Sequence, residues 1–372
     1  MGLGVIKSYI WGFGLRFSHL WLILTFIFAY ILSDMKGALY WHIVFGALFA
    51  LALIFRIIWG FIGTKYSKFS DFNFRDLFGY FASFFGQKKR YLGHNPASCV
   101  AIILMLILGL VCAGSGLILY GINENSGIFA FLYDEYVKFA FAEPLHKISA
   151  NALLGLIIIH TCGALIDKFI YKNDALNAML TGYKLSLKNE TITFNNFQKI
   201  FTFIWIFGLF GALIYFLDEQ NFILKSRAVF SDFGAQNAEF MKECASCHMA
   251  YAPWFLPKKS WELMMADLEN HFGDDASIDE ATNKRILAFL QANSAQNNAN
   301  KIAFNILKYA KNDENIAITQ NEYWIKKHKK IKPEIFKNEK IKSKSNCLAC
   351  HINIDKGVVA KALIDYKMVR EF

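Results

Sequence analysis

Five stretches of this chain, roughly residues 10–32, 40–62, 97–121, 148–171 and 197–218, are almost entirely apolar. Each is about as long as the ~20 residues a helix needs to cross a bilayer. Inside hydrocarbon every backbone N–H and C=O must find its partner within the segment, so these stretches can only be helices. Composition agrees: 55% of the 372 residues are hydrophobic, 19% are charged and mean hydropathy is +0.28, unlike an ordinary soluble domain. The first stretch is too long for the core of a cleaved signal and no small-residue cleavage site follows it, so it reads as an uncleaved anchor.

Charge orients the spans. Loop 63–96 carries Lys65, Lys68, Arg75, Lys88, Lys89 and Arg90, and loop 172–196 carries Lys172, Lys184 and Lys188. The opposite loops are poorer in net positive charge: 33–39 holds Lys36, while 122–147 sets Lys138 and Lys147 beside Glu124, Asp134, Glu135 and Glu143. Positive loops stay inside, which puts the N-terminus in the cytoplasm and everything after about Asp218 in the periplasm of a bacterial inner membrane. The net charge of +10 is then that of membrane-flanking loops. Basic residues that flank apolar spans rather than line one soluble face exclude nucleic acid as a partner.

The tail, 219–372, is ordinary soluble sequence. Stretches 258–271 and 278–292 have helical periodicity, no run alternates as a strand, and 293–300 reads as a loop. The tail carries two pentads, Cys244-Ala245-Ser246-Cys247-His248 and Cys347-Leu348-Ala349-Cys350-His351. Two thiols three residues apart can each add to a haem vinyl group, and the adjacent histidine reaches the iron from the same turn, so the pattern reads as covalent c-type haem attachment. A zinc knuckle or redox dithiol is the competing reading; the topology, which places both pentads outside the cytoplasm, favours haem. Of the remaining cysteines, Cys99, Cys112 and Cys162 lie in apolar runs and read as small buried hydrophobes.

Four histidines, His19, His42, His146 and His160, lie at the apolar helices, where an ionisable group is a functional candidate. His146 and His160 are fourteen residues apart, nearly four turns along one helical face, or roughly 21 Å of rise. His19 matches His160 in depth; His42 opens the second helix at the level where His146 immediately precedes the fourth. Bundle cofactors are held by facing side chains at one level, so His19 pairs with His160 and His42 with His146 around two b haems. Arg56, fourteen residues after His42, falls near the cytoplasmic level, where it either holds a haem propionate or snorkels to the interface. For the c haems, His248 and His351 each supply one ligand. The tail offers two further histidines, His271 and His328, against Met241, Met249, Met264, Met265 and Met368. Met249 is badly placed to cross its own haem, and at least one of Met264 and Met265 should pack as core. The expectation is therefore His271 on the first c haem and His328 on the second, with the swapped arrangement open. His94, in a cytoplasmic loop, is read as structural.

RFSHL (16–20), WHIVFGALFALALIFRIIWGFIGTKYSKFSDF (41–72), RYLGHNPAS (90–98) and LHKISANALLGLIIIH (145–160) resemble the bacterial cytochrome b561 family, close to the b subunits of nickel-iron hydrogenases. The resemblance covers about 8–184 and implies a four-helix bundle with two bis-histidine haems and quinone exchange; its ligands fall on His19, His42, His146 and His160. CASCHMAYAPWFLPKKSWELMMADLENHFGDDASIDEAT (244–282) and SNCLACH (345–351) resemble the periplasmic di-haem cytochrome c family, over about 231–357. The expected organisation is all-α: a b561-like membrane domain (1–185), a linker with a fifth span that returns the chain to the periplasm (186–224), and a mostly helical di-haem c domain (225–372).

The function expected is electron transfer from the quinol pool, through two haem b and two haem c, to a soluble periplasmic redox protein. Reverse flow from a periplasmic donor to quinone is the alternative, as is an enzyme whose open c haem acts on a small substrate such as peroxide. A haem sensor would need a signalling module, and none is seen. Stretch 325–344 holds nine lysines against Glu334 and Glu339 and reads as a solvated face or as a docking surface for an acidic partner or anionic lipid.

Overall fold

The computed structural model describes residues 6–83, 86, 91–173, 175–310 and 314–367; Lys88, Lys89, Arg90 and Met368 lie outside them. Contacts divide the chain into two compact units, one of residues 1–116 and 142–221, the other of 117–141 and 222–372. Among the described residues, five helices are long and apolar enough to cross a membrane: α1 Phe13–Leu32, α2 Leu39–Ile62, α3 Pro96–Glu124, α4 Ala142–Phe169 and α5 Asn196–Tyr215. The chain is thus mostly helical, with five candidate spans. α4 begins at Ala142, earlier than its apolar run, because Glu143 and Lys147 pair across one turn at 2.7 Å and extend the helix through polar sequence. His146 therefore lies within α4 rather than before it.

α1 and α2 pack along their length, and small residues admit close neighbours. A Cβ on Gly14 would meet Thr202 of α5 at 2.3 Å, and one on Gly109 of α3 would meet Leu53 of α2 at 2.8 Å. Without a hydrophobic drive between helices in lipid, such close approach and interhelical hydrogen bonds hold a bundle together. α5 is more than a tether. Its Phe201 lies nearly parallel to Phe55 and Trp59 of α2, with ring centroids 5.9 and 6.2 Å away. Asn195 and Gln198 form a reciprocal capping box at its start, and Gln198 Nε2 also donates to the Ile62 and Gly63 carbonyls at 2.8 and 2.9 Å.

Two short strands escape the periodicity rule. β1 (Ile6–Tyr9) and β2 (Tyr183–Ser186) pair antiparallel, Ile6 opposite Ser186. Four residues each are too few to carry an alternating signal. The ribbon brings Lys184 into the unit: it is buried and its ammonium donates to the Tyr91 carbonyl at 3.1 Å, so this loop lysine is not part of a solvated basic face. Of the three span cysteines Cys99 is buried, Cys112 half-buried and Cys162 exposed, so Cys162 is not the buried hydrophobe its apolar run suggests.

The second unit is built from short helices, α6 Ala238–Cys244, α7 Lys258–Ala266, α8 Glu280–Ala292, α9 Lys301–Tyr309 and α10 Glu322–His328. Asn237, Asp279, Asn300 and Asn321 each accept a backbone N–H at a helix start, the usual Asx cap. Its core gathers Phe240, Phe255, Trp261, Met265, Ile286 and Leu290. The stretch expected to be helical to residue 271 stops at Ala266 and continues as a 3-10 turn over Leu268–Asn270.

Gln198→Ala removes the two bonds to the end of α2 and one half of the capping box. A loss of about 1–2 kcal/mol is expected, read as a lower melting temperature in detergent; an unchanged melting temperature would show that α5 is not anchored through this side chain.

Candidate functional site

Eight histidines meet in four pairs. In the first unit His19 of α1 faces His160 of α4 with ring centroids 6.5 Å apart, and His42 of α2 faces His146 of α4 at 6.1 Å. In the second unit His248 and His271 lie 6.2 Å apart, and His328 and His351 lie 6.0 Å apart. Two imidazoles on opposite sides of one metal ion, each bound at the roughly 2.0–2.1 Å of a metal–imidazole bond, have ring centres about 6 Å apart. The unswapped assignment of His271 and His328 is the one the geometry brings together.

Hydrogen bonds orient the rings. Nδ1–H of His42 donates to the Ala29 carbonyl at 2.7 Å, that of His146 to Cys112 at 2.9 Å, that of His248 to Met249 at 2.7 Å and that of His328 to Trp324 at 2.8 Å. Each bond leaves Nε2 as the free lone pair, as a metal-ligating imidazole requires. His328 also stacks on Trp324 at 4.2 Å. His271 is aimed by a tight turn: its backbone N–H donates to the Asp274 carbonyl at 2.8 Å, with Phe272 and Gly273 both in the left-handed region at φ +56° and +101°. Such strain in a non-glycine residue persists where the surroundings demand it. Gly116 of α3 lets His146 sit close, since a Cβ there would meet its Cε1 at 2.9 Å.

The tail pairs are electrostatically prepared. Burial, then the neighbouring His328, holds His351 down to about 4. Burial also lowers His328 and, together with His248, His271. Neutral imidazoles bind metal. Burial pushes the Cys244 and Cys347 thiols up to about 11, the reverse of the thiolate-stabilising setting of a zinc or redox dithiol. Among the described residues no three His, Cys, Asp or Glu side chains converge as a structural zinc site would need. Met265 is buried in the tail core, and Met241, Met249 and Met264 pack against it.

The His19–His160 pair opens on a cavity of about 320 Å³ whose wall includes Leu53, Leu153, Arg56 and His94. Both terminal nitrogens of Arg56 and Nε2 of His94 are buried there without a partner. Unpaired buried donors are costly, and the two guanidinium nitrogens of Arg56 in an apolar cavity suit an anionic group on a large apolar ligand, which describes a haem and its propionates. His94 lies tilted against Trp11 at 4.6 Å and meets Phe72 edge-on at 5.3 Å, so it packs as a structural residue while also presenting its ring to the cavity. The signal for that place is the Asn95-Pro96 step after it. Asn95 accepts the Ser98 N–H at 2.8 Å as an N-cap, and Pro96 opens α3, fixing His94 one residue ahead of the cap.

A helical membrane chain with paired histidines and two covalent-attachment pentads is a membrane-bound haem protein. Residues 1–182 match the family described as prokaryotic cytochrome b561, and residues 240–359 match dihaem cytochrome c. The "Probable Ni/Fe-hydrogenase B-type cytochrome subunit" of Rhizobium leguminosarum bv. viciae is 23% identical over 167 residues, 40% of this chain and 69% of that protein. Among solved structures, DHC purified from Rhodobacter sphaeroides is 35% identical, covering 33% of this chain and 96% of that one, with a TM-score of 0.27. The dihaem cytochrome c sb-DHC of Shewanella baltica OS155 is 34% identical, covering 37% and 95%, with a TM-score of 0.30. The chain belongs to the prokaryotic cytochrome b561 family through its first half and to the dihaem cytochrome c family through its tail. It is a membrane electron-transfer protein of haem b and haem c.

Gly116→Val is expected to displace His146 and to release half of the extractable haem while leaving the covalent haem in place. Gly114→Val, with nothing within 4 Å of its Cβ position, should keep both. Pyridine haemochrome assays before and after acid-acetone extraction check this; equal loss in the two variants would contradict it.

Proposed function

We propose that this protein carries electrons from the quinol pool of the bacterial inner membrane to a soluble acceptor in the periplasm. Its N-terminus lies in the cytoplasm and its tail in the periplasm, as the basic loops 63–96 and 172–196 favour. His19 with His160, and His42 with His146, hold two haem b. Cys244, Cys247, His248 and His271 hold one haem c; Cys347, Cys350, His351 and His328 hold the other. The observation that carries this reading is the recurrence of one geometry, four imidazole pairs with centroids 6.0–6.5 Å apart.

Each bound haem supplies a one-electron couple, and the protein sets its ligation, spacing and burial. The residues present do three things. The second imidazole of every pair would supply a further ligand to a bound haem iron, which favours a conduit over an enzyme with an open iron. The carbonyls of Ala29, Cys112, Met249 and Trp324 fix the rings by accepting their Nδ1–H. Arg56 would take a haem propionate in the apolar cavity, offering its buried donors to the carboxylate. The fourteen residues from His146 to His160 separate the two b-haem levels by roughly 21 Å of helical rise, so the pairs carry charge across the bilayer rather than side by side.

The test is anaerobic reduction of the full-length protein by duroquinol in stopped flow. The b absorbance is expected to rise first and the c absorbance to follow. His160→Ala should slow reduction of the c haems at least tenfold, while direct dithionite reduction of them is unchanged. Reduction of the c haems by quinol at the normal rate in that variant would contradict the reading.

A further inference from the structure

The two c-haem sites sit in opposite electrostatic settings. Residues 262–280, which carry His271, hold seven carboxylates and no lysine or arginine. Asp267, Glu269, Asp274, Asp275 and Asp279 are exposed on either side of the tight turn that aims His271. Residues 325–344, which carry His328, hold nine lysines and two glutamates. Lys326, Lys327, Lys329 and Lys330 flank His328 directly, and Lys342 and Lys344 stand just ahead of Cys347; all are exposed. The nearby helix α9 adds a tyrosine hydroxyl that accepts from Lys326 at 2.8 Å. The segment that carries His328 is thus strongly basic and the one that carries His271 strongly acidic.

From this polarity we infer that the second c-haem site, His328 with His351, is the port at which electrons leave, and that it docks an acidic one-electron carrier protein on its lysine rim. The inference rests on the electron-transfer reading above and adds which site is terminal and what kind of partner it takes. Two effects of the same charges act together. Opposite potentials steer the encounter and raise the association rate at low salt, while like charge repels the same carrier from the His271 end. An oxidised site carries one more positive charge than a reduced one, so neighbouring lysines favour the reduced form and neighbouring carboxylates the oxidised form. An electron shared between the two c sites thus rests at the His328 end, where the carrier docks. In the transfer the second site loses one electron, the carrier gains it, and no proton or bond is exchanged.

The experiment uses the full-length protein in detergent, reduced anaerobically, and follows c-haem reoxidation by two carriers of opposite charge, acidic plastocyanin and basic horse cytochrome c. Reoxidation by plastocyanin should fall steeply with added salt. The triple variant Lys329→Glu/Lys330→Glu/Lys332→Glu should slow it at least tenfold at low ionic strength and shift one c-haem midpoint potential downward in a spectroelectrochemical titration. The control Asp274→Asn/Asp275→Asn should leave the plastocyanin rate within twofold of the parent. Salt-independent rates, or equal slowing with both carriers, would overturn the docking proposal, and so would a larger effect from the aspartate variant. Duroquinol reduction measured in the same samples separates the two readings. If quinol fails to reduce the c haems of the parent protein, the quinol-to-periplasm route fails, whereas the carrier kinetics after dithionite reduction still decide the docking.

Discussion

Eight imidazoles stand in four facing pairs with ring centres 6.0–6.5 Å apart, the length that two imidazoles sharing one metal ion would impose, and much of the structure serves that spacing. In the membrane unit the length is met by helices, because only helices satisfy their own backbone in lipid. One helix, α4, contributes a histidine to both membrane pairs. Its regular rise fixes the distance between the two levels, and α1 and α2 need only present one histidine each at the matching depth. Close packing follows from the same demand: Gly116 has no side chain because the His146 ring occupies that space.

The tail meets the same length by different means. Its elements are too short to set a ligand distance by helical rise, so turns and local hydrogen bonds do the aiming. His271 depends on a left-handed Phe272-Gly273 step, and His328 on a stack with Trp324 and a bond to its carbonyl. Each second histidine is thus carried by a surface segment of marked charge, acidic for one and basic for the other. The paired histidines and the segment charge come from the same stretches of chain.

Much of this was legible in the sequence, because membrane helices and covalent haem pentads are the two features that a single chain advertises most plainly. The five spans were readable to within a few residues, except where α4 extends six residues earlier through a polar turn held by Glu143 and Lys147. Matching His19 to His160 and His42 to His146 needed only depth, which helical rise converts into residue counts. Other features were not legible. The β1–β2 ribbon is too short for a period-two signal, and its pairing spans residues 6 and 186. Burial of Lys184 depends on that ribbon. The anchoring of α5 on α2 depends on Gln198 reaching carbonyls 135 or more positions away. His94 read as a loop residue because the Asn95-Pro96 step marks the N-cap of α3 but does not by itself show that the cap turns the ring toward the cavity holding Arg56. These are long-range consequences of folding, and local pattern carries no trace of them.

With four facing imidazole pairs, every bound iron would be closed by two histidines. Low-temperature electron paramagnetic resonance of the oxidised full-length protein, followed by carbon monoxide addition to the dithionite-reduced sample, tests it most directly. Low-spin signals that integrate to four haems per chain are expected, with no high-spin signal near g = 6 beyond a trace and no carbon monoxide difference spectrum. A stoichiometric high-spin signal that binds carbon monoxide would contradict it and would mark one site as open for chemistry.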